Sequence, residues 1–426
     1  MSVPAAAAAA GAETASVDTA GLDAAGLDAA GFDAPALRRR VDEFFGRLPA
    51  LLEGSDDRVE RARRYRELLY DGGLAGLSYP VRFGGQGLPR ESERIFREAA
   101  AGREPSEAGV FGIGLGMCVP TILEHGTDAM RERFVEPTLR GREIWCQLYS
   151  EPGAGSDLAS LQTRAVLDGD EWVVSGQKVW TSGAQNAQLA VLLVRTNPDV
   201  PKHRGITMLV LPMEQAGVEV RPLRQMTGVA EFNEVFLDEA RVPAAWVIGD
   251  VNDGWRMATA LLTHERTSLG SGGGRQPAPF DDLAALARQR HLDGDPVTRQ
   301  ELAEVYCGSR IVGWLPQRGL PASVGKLWRT KQGRSAASVL HRLSGPLGAA
   351  WPADDEEAAA RVYRVLDAPA LSLGGGSDEV QRNTLGERVL DLPREPSVDR
   401  DVAFRNLRVG TQRSSGSVAA AAPPPA

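Results

Sequence analysis

The segment LYSEPGAGSD, at residues 148–157, indicates the fold class more strongly than any other stretch of the chain. A Glu-Pro turn leads into Gly153 and Gly155, which are expected to allow positive φ and to let a flat ligand approach the backbone closely. Ser150 and Ser156 place hydroxyl groups beside that bare backbone. The segment therefore predicts a ligand-binding turn. Because an isolated Gly/Ser turn is usually only a turn, other segments must support this interpretation.

A second segment, SGQKVWTSG at residues 175–183, gives that support. We expect Trp180 to lie against the face of a planar heterocycle, with Thr181 or Ser182 hydrogen-bonded to its edge. The alternative is a core tryptophan beside a hairpin, which is the commoner role of an isolated tryptophan. Gly169 and Asp170 lie between two β-like runs and predict a hairpin turn.

Composition restricts the class of protein. The chain has 426 residues, of which 42% are hydrophobic and 24% charged, which is enough for a large core and more than one domain. Its net charge of −8 argues against nucleic acid or an anionic membrane as the main partner. The three cysteines and five histidines lack the spacing of a disulfide framework or a metal site. No apolar run is long enough to span a bilayer and no signal peptide is evident, so a cytoplasmic location is expected.

Hydrophobic spacing divides the chain into helical, β and helical parts. The first apolar residues recur at helical intervals: Leu37, Val41, Phe44, Phe45 and Leu48. Glycine-rich breaks between helices are expected at residues 79–87 and 112–116, and β-branched runs begin near residue 145. The predicted parts are a disordered tail at residues 1–35, which includes an AG(L/F)DA repeat, a helical domain at 36–144 and a β domain at 145–247. A second helical domain at 248–400 and a tail at 401–426 follow. This order argues against a doubly wound dinucleotide fold, in which strands and helices alternate.

The order of these strings resembles one known family. EPGAGSD, GDEW, SGQKVWTSG and FNEVFLDEARVP follow one another as in the middle domain of the acyl-CoA dehydrogenases. Downstream, LGGGSDEVQRN at 373–383 and ERVLDLP at 387–393 are similar to that family's last loop and closing helix. The glycines leave bare N–H groups there, and Ser377 or Asp378 is expected to cap the helix. The resemblance implies an α+β fold with an N-terminal helical domain, a middle β-barrel domain and a C-terminal four-helix bundle.

The resemblance also implies an activity and a set of site residues. Family members use FAD to oxidise the Cα–Cβ bond of an acyl-CoA thioester to the trans-2-enoyl-CoA, and they pass the electrons to an electron-transfer flavoprotein. The implied substrate contact is Ser156. The implied cofactor-binding residues are Gln147, Tyr149, Ser150, Gly155, Trp180, Ser182, Gly376, Ser377 and Glu379.

The catalytic base is expected on a helix. Many members carry it directly before the Gly-Thr or Gly-Ser of the last loop, where this chain has Gly375. Glu265 is the expected replacement, because leucines three and four positions before it and four after it place it on an apolar helix face. The long-chain and isovaleryl branches carry their base in a matching Glu-Arg pair, so Arg266 is expected to steady the site. A surface Glu-Arg pair is the alternative, and Glu379 is a weaker candidate for the base.

One segment departs from the family pattern. Most family members have an Arg-x-x-Phe-Gly motif here, which binds the cofactor's pyrophosphate from a neighbouring subunit. This chain instead has GSGGGRQPAPF at residues 270–280, where Arg275 could replace the lost contact. The chain is expected to form a homo- or hetero-oligomer, either a dimer or a tetramer. Two alternatives to the dehydrogenase remain: a non-catalytic partner subunit of a mixed tetramer, and, within the enzyme class, a flavin-dependent oxygenase on the same fold. The sequence does not identify the acyl group.

Overall fold

A computed structural model describes most of the chain as two compact units, one up to Pro105 and one from Ser106 onward. The described residues are 32–53, 56–270, 278–350, 355–394, 396 and 399–407. The AG(L/F)DA repeats up to residue 31, the segment 271–277 with Arg275, and residues 408–426 lie outside them.

The described residues of the first unit form three α-helices: α1 (Ala34–Leu51), α2 (Arg58–Asp71) and α3 (Glu91–Ala100). The five apolar residues predicted to form the inner face of α1 are all buried, which confirms the helical spacing. Helix α1 begins two residues before the expected domain start at 36, because Asp33 caps it by accepting a hydrogen bond from the Ala36 N–H at 3.1 Å. The expected break at 79–87 is present and contains a 3₁₀ turn, Val81–Phe83.

The second unit opens with a helical segment where a break was expected. Residues 112 and 113 are helical, and a π-helical turn, Gly114–Cys118, runs directly into α4 (Val119–His125), which α5 (Asp128–Leu139) follows. The predicted break at 112–116 is therefore wrong. Glycine serves close packing here: a Cβ added at Gly114 would lie 2.8 Å from Cδ1 of Trp145.

A mixed eight-stranded sheet follows, in the order β6-β7-β3-β2-β4-β5-β8, with β1 paired to β4. Strand β1 runs parallel to β4, whereas β2 and β3 form an antiparallel hairpin at Gly169, which has φ of 64°. This confirms the predicted hairpin turn. The strands are β1 (Trp145–Leu148), β2 (Arg164–Asp168), β3 (Glu171–Ser182), β4 (Leu189–Arg195), β5 (Ile206–Pro212), β6 (Val218–Leu223), β7 (Phe232–Pro243) and β8 (Val247–Ile248).

Among the residues that the structure describes after the sheet there are six α-helices, and the first of them packs directly on the sheet. Met257, Ala258 and Leu261 of α6 are buried in one core with strand residues of β4 and β5. A Cβ added at Gly254 would lie 2.6 Å from the backbone carbon of Thr207, so α6 begins in close contact with β5. The helices are α6 (Gly254–Gly270), α7 (Phe280–Gln289), α8 (Pro296–Trp314), α9 (Ala322–Ser344), α10 (Glu356–Asp367) and α11 (Asp378–Arg388).

The remaining helices assemble around α9, which packs against α7, α8, α10 and α11. Their core includes Leu283, Val305, Leu340 and Leu343, all of which are buried. The predicted succession of helical, β and helical parts is confirmed. Within the described part of the chain, no helix combines the length and apolarity needed to cross a bilayer.

The described C-terminal residues return to the sheet. The Phe404 N–H donates to the Val200 carbonyl and the Arg405 N–H to the Pro198 carbonyl, both at 2.9 Å. Phe404 is buried. The tail predicted for residues 401–426 is therefore wrong over 401–407, because the one aromatic side chain of this short segment, which has no hydrophobic periodicity, packs against the rest of the unit.

Replacing Gly114 with alanine is expected to lower the free energy of unfolding by about 1–3 kcal/mol, because the new Cβ overpacks the Trp145 ring. The ring has little freedom to move, since its Nε1–H donates to Thr138 Oγ1 at 2.8 Å and its face meets the edge of Phe134. Urea unfolding of the two proteins measures the difference.

Gly112→Ala is the matched control, because a Cβ added at this helical position meets no atom within 4 Å. This variant is expected to be as stable as the parent chain or slightly more stable. Equal stability of the two alanine variants would contradict the packing role of Gly114.

Candidate active site

The segment at 148–157 forms a tight turn after β1. The Glu151 N–H donates to the Ala154 carbonyl at 3.1 Å, and the Ala154 N–H donates to the Glu151 carbonyl at 3.0 Å. Neither Gly153 nor Gly155 is among the described glycines with positive φ, so the turn does not use the left-handed conformation that glycine allows. The reciprocal pair of hydrogen bonds reverses the chain without a left-handed residue. Gly155 is exposed, and an added Cβ would meet no described atom within 4 Å, so open space lies beside the backbone as predicted.

A bulge in β3 brings the second segment beside this turn. The pairing of β3 with β7 shifts register between Lys178 and Thr181. Within that bulge the Val179 N–H donates to the Ser150 carbonyl at 2.9 Å, so Ser150 lies beside the bulge that contains Trp180. Bulges commonly redirect a side chain next to an active site. The structure thus joins two of the residues that the sequence analysis had predicted for one site.

Trp180 occupies an uncommon conformation. Its φ is 61°, which bulky residues rarely adopt and which costs on the order of 1–3 kcal/mol. Its indole is 62% exposed and contacts Phe232 edge to face, with ring centroids 6.1 Å apart. The alternative of a core tryptophan is therefore wrong. The exposed ring presents a flat apolar surface at the place where the turn and the bulge meet.

The next two residues provide hydroxyl groups at the edge of this surface. Thr181 is buried, and its Oγ1 has no hydrogen-bond partner within the described residues. Asn233 Nδ2 donates to the Thr181 carbonyl at 3.0 Å and fixes the backbone there. Ser182 is half-buried. Because a buried hydroxyl without a partner is costly, Thr181 is suited to bond a polar group of a ligand.

A buried ion pair connects the turn to β3. Lys178 is 0% exposed and Glu151 is 7% exposed. The Lys178 ammonium donates to Glu151 Oε1 at 2.9 Å and to the Tyr149 carbonyl at 3.0 Å. The backbone N–H groups of Gln162 and Thr163 donate to the same carboxylate at 2.7 and 2.9 Å. Burial raises the pKa of Glu151, but Lys178 and the other donors outweigh burial and hold this pKa below its usual range.

The sequence analysis did not identify this pair. Its two residues are 27 positions apart, and no local pattern predicts that they meet. The neighbouring predicted residues have these locations: Gln147 lies on β1 opposite Val191, and Tyr149 is buried.

The other end of the turn is held by a second lysine. Ser156 is exposed, and Asp157 next to it accepts hydrogen bonds from Lys202 Nζ at 3.0 and 2.9 Å. Ser160 Oγ donates to the same carboxylate. Lys202 is 7% exposed and also donates to Asp399 at 2.6 Å. The predicted substrate contact is thus flanked by a fixed charge pair.

The predicted base and its neighbour lie on α6. The backbone of Glu265 and Arg266 is helical, and their side chains lie outside the described residues. Leu261, one turn earlier and about 6 Å along the helix axis, is buried in the same core as Tyr149 and Ala154. Helix α6 therefore lies over the core that supports the turn.

A polar contact that the sequence analysis missed lies next to the backbone of the predicted base. Nε2 of His264, the residue immediately before Glu265, is 3.1 Å from Glu124 Oε2. Glu124 belongs to α4, so this contact connects α4 to the part of α6 that carries the predicted base.

The third predicted group lies at the start of α11. Ser377 caps this helix, since its Oγ accepts a hydrogen bond from the Val380 N–H at 3.4 Å, which confirms one of the two predicted caps. Gly375 and Gly376 have φ of 65° and 85°. Glu379 pairs with Arg382 at 3.5 Å. These described contacts stay within the helical part of the unit and do not join Gly376, Ser377 and Glu379 directly to Ser150 and Trp180.

Comparison with protein families gives three matches along the chain. "Acyl-CoA dehydrogenase, N-terminal domain" matches residues 33–142, "Acyl-CoA dehydrogenase, middle domain" matches 146–240, and "Acyl-CoA dehydrogenase, C-terminal domain" matches 252–390. The turn and the bulge lie in the second match, and the predicted base and α11 lie in the third.

Individual relatives agree with the family matches. Acyl-CoA dehydrogenase IpdE1 of Mycobacterium tuberculosis is 39% identical over 349 residues, which are 79% of this chain and 89% of that protein. Acyl-CoA dehydrogenase FadE34 of the same organism is 39% identical over 338 residues, 76% of this chain but 46% of that longer protein.

Solved structures share the fold. The Tcur3481-Tcur3483 steroid ACAD superposes with a TM-score of 0.71 at 28% identity, over 85% of this chain and 100% of that one. The ChsE4-ChsE5 complex from Mycobacterium tuberculosis superposes with a TM-score of 0.68 at 30% identity, over 85% of this chain and 98% of that one.

Replacing Glu151 with glutamine is expected to lower the free energy of unfolding by about 3–5 kcal/mol at neutral pH, because Lys178 is left buried without a counter-charge. The pH dependence should change too. A carboxyl whose pKa is lowered by folding stabilises the protein above its unfolded pKa, and this stabilisation is lost as pH falls through the folded pKa. The acid limb of the stability curve should therefore be shallower in Glu151→Gln, as measured by urea unfolding across pH.

Glu171→Gln is the matched control, on the strand that carries Lys178. Glu171 is 43% exposed and lies 3.6 Å from Arg241, so its loss should cost less than about 1 kcal/mol. Similar losses in both variants would contradict a special role for the buried pair.

Proposed function

Because this chain belongs to the acyl-CoA dehydrogenase family, we propose that it uses FAD to oxidise an acyl-CoA thioester to the trans-2-enoyl-CoA. Family membership makes the chain an oxidoreductase, and family members are generally FAD-dependent. The observation that carries the proposal is the contact between the 148–157 turn and the β3 bulge. There the Val179 N–H donates to the Ser150 carbonyl, and Trp180 is exposed.

The residues where the turn and the bulge meet fit an isoalloxazine ring. The Trp180 indole offers a flat face, the Thr181 hydroxyl lacks a partner within the described residues, and Gly155 leaves open space. In the proposed site Ser150 and Ser182 bond the ring edge, and Gln147 and Tyr149 lie behind it. Bound FAD supplies the acceptor for the hydride that leaves Cβ of the substrate.

Glu265 is the proposed base that removes the α-proton. Helix α6 supports this role, because Met257 and Leu261 bury it against the core that holds Tyr149 and Ala154. In the proposed site, exclusion of water from the base would favour proton abstraction. Arg266 is proposed to stabilise the site beside the base, and Ser156 is proposed to contact the substrate. The weak acidity of the α-proton requires hydrogen bonds to the thioester carbonyl, which polarise it.

The start of α11 is proposed as the second wall of the cofactor site. Gly375 and Gly376 have positive φ, and Gln381 Nε2 holds the Gly375 carbonyl at 2.8 Å, so this loop is fixed in shape. Gly376, Ser377 and Glu379 are proposed to approach the cofactor with their backbone and short side chains.

The substrate class and the partners are proposed from the relatives. The Tcur3481-Tcur3483 structure is named a steroid ACAD, and both it and ChsE4-ChsE5 pair two different chains. We propose a steroid-derived acyl-CoA as the substrate, a hetero-oligomer as the assembly, and an electron-transfer flavoprotein as the acceptor of the electrons. The similarity of 28–30% over 85% of this chain supports the first two assignments.

The purified protein is expected to be yellow and to be bleached by its acyl-CoA under anaerobic conditions. Glu265→Gln should retain the flavin and slow the bleaching by about 10²–10⁴-fold, because the base is lost while the cofactor site is kept. Stopped-flow absorbance of the flavin band measures both properties in one experiment.

Glu379→Gln is the control, since it removes the other candidate carboxylate without touching α6. Its bleaching rate should stay within about tenfold of the parent rate. Bleaching that survives in Glu265→Gln and disappears in Glu379→Gln would reassign the base. A colourless protein that becomes yellow only with a second chain would instead indicate a partner subunit.

A steroid-derived thioester is expected to bleach the flavin at least about tenfold faster than a straight-chain acyl-CoA at equal low concentration, because a pocket shaped for fused rings gains more apolar contact with them. Initial bleaching rates across a panel of thioesters measure the preference. Faster bleaching by the straight chain would overturn the substrate class and leave the reaction type standing.

A further inference from the structure

The segment 399–407, called here the C-terminal strap, lies across the loop 196–205 between β4 and β5. Pro201 and Ala403 form a β-bridge, and the two backbone hydrogen bonds of Phe404 and Arg405 extend it. Arg405 also forms an ion pair with Asp199. The strap is therefore held to this loop along its length, and the contact is neither a single residue nor a single charge.

Lys202 connects the strap to the turn that carries Ser156. Its ammonium lies between Asp157 and Asp399, with contacts of 2.9 and 2.6 Å. Burial opposes the charge of Lys202, but the two carboxylates outweigh it and raise the pKa of the lysine. The buried Lys202 ammonium thus links the strap to Asp157, the residue next to Ser156.

Arg195 makes a second connection at the same place. Its guanidinium donates to the carbonyls of Ala159 and Leu161 at 2.6 and 3.3 Å and to the Lys202 carbonyl at 2.5 Å. The Phe404 ring covers it, with the guanidinium carbon 3.8 Å from the ring centroid. Arg195 is 4% exposed. Without that ring, water would reach the guanidinium and compete for the carbonyls that follow Asp157.

The two ends of the turn are thus held by separate sets of contacts. Glu151 and Lys178 fix the end that carries Ser150, whereas Lys202, Arg195 and the strap fix the end that carries Ser156. Given the substrate role proposed above for Ser156, we propose that Phe404 and Asp399 are positioning residues for substrate binding, which act on residues 156–161 through Arg195 and Lys202. They are not expected to influence the cofactor end.

This division of roles is tested with Phe404→Ala in the full chain loaded with flavin. The acyl-CoA KM should rise about tenfold with kcat within about twofold, because residues 156–161 lose their fixed position while the base and the flavin keep theirs. Flavin content and the visible spectrum should match the parent protein. Amide hydrogen exchange should become faster in residues 156–161 and remain unchanged in residues 171–182.

Three further variants sharpen the test. Phe404→Tyr keeps the ring over Arg195 and should restore the parent KM. Asp399→Asn removes one carboxylate from Lys202 and should raise KM in the same direction as Phe404→Ala. Asp401→Asn changes the same charge at an exposed position of the strap and should behave like the parent. Stop codons after residues 396 and 407 form a matched pair, of which only the first removes the strap.

The outcomes separate this inference from the proposed function. If no acyl-CoA reduces the parent protein, the proposed function fails, and hydrogen exchange in residues 156–161 still decides the role of the strap. Unchanged exchange and unchanged KM in Phe404→Ala would overturn the inference. Faster exchange throughout the sheet, or loss of flavin together with the rise in KM, would also overturn it, because the strap would then serve general stability.

Discussion

The buried ion pair between Glu151 and Lys178 is the contact on which the site depends. Removing two charges from water costs several kcal/mol, and good geometry with further hydrogen bonds is needed to offset that cost. Here the Glu151 carboxylate accepts from the Lys178 ammonium and from two backbone N–H groups, and the ammonium also reaches the Tyr149 carbonyl. These partners belong to the turn, to β3 and to the residues directly before β2. The pair therefore fixes the position of the turn relative to the bulge, and with it the distance between Ser150 and Trp180.

That arrangement explains how strand β3 presents the indole surface proposed for the cofactor. A regular strand would direct alternate side chains to opposite faces and would leave the Val179 N–H in the ladder with β7. The register shift between Lys178 and Thr181 releases this N–H for the Ser150 carbonyl. The same shift allows Lys178 to point into the interior and Trp180 to point outward within three residues.

Much of this fold follows from short-range patterns, and the site depends on contacts that those patterns do not contain. Helical spacing predicts the inner face of α1, Gly169 predicts the hairpin, and Ser377 predicts the cap of α11. The residues that hold the turn are 27, 45 and 197 positions from their partners. Glycine is ambiguous for the same reason: Gly114 serves a contact with Trp145, 31 residues later, and not the local break that its neighbours suggest. The sequence analysis missed the strap because a single aromatic residue in a nine-residue segment gives no helical or strand periodicity.

The conformation of Trp180 argues that the site is formed before any ligand arrives. A left-handed backbone and a mostly exposed indole both cost free energy, and neither improves the packing of the sheet. A residue keeps such a conformation only where contacts with its neighbours outweigh its own backbone preference. The Val179 hydrogen bond to Ser150 and the Asn233 hydrogen bond to Thr181 enclose it on both sides in the chain. Because these contacts are internal to the protein, they hold the exposed indole in place without a ligand, and binding of the proposed cofactor would not have to supply the cost of ordering it.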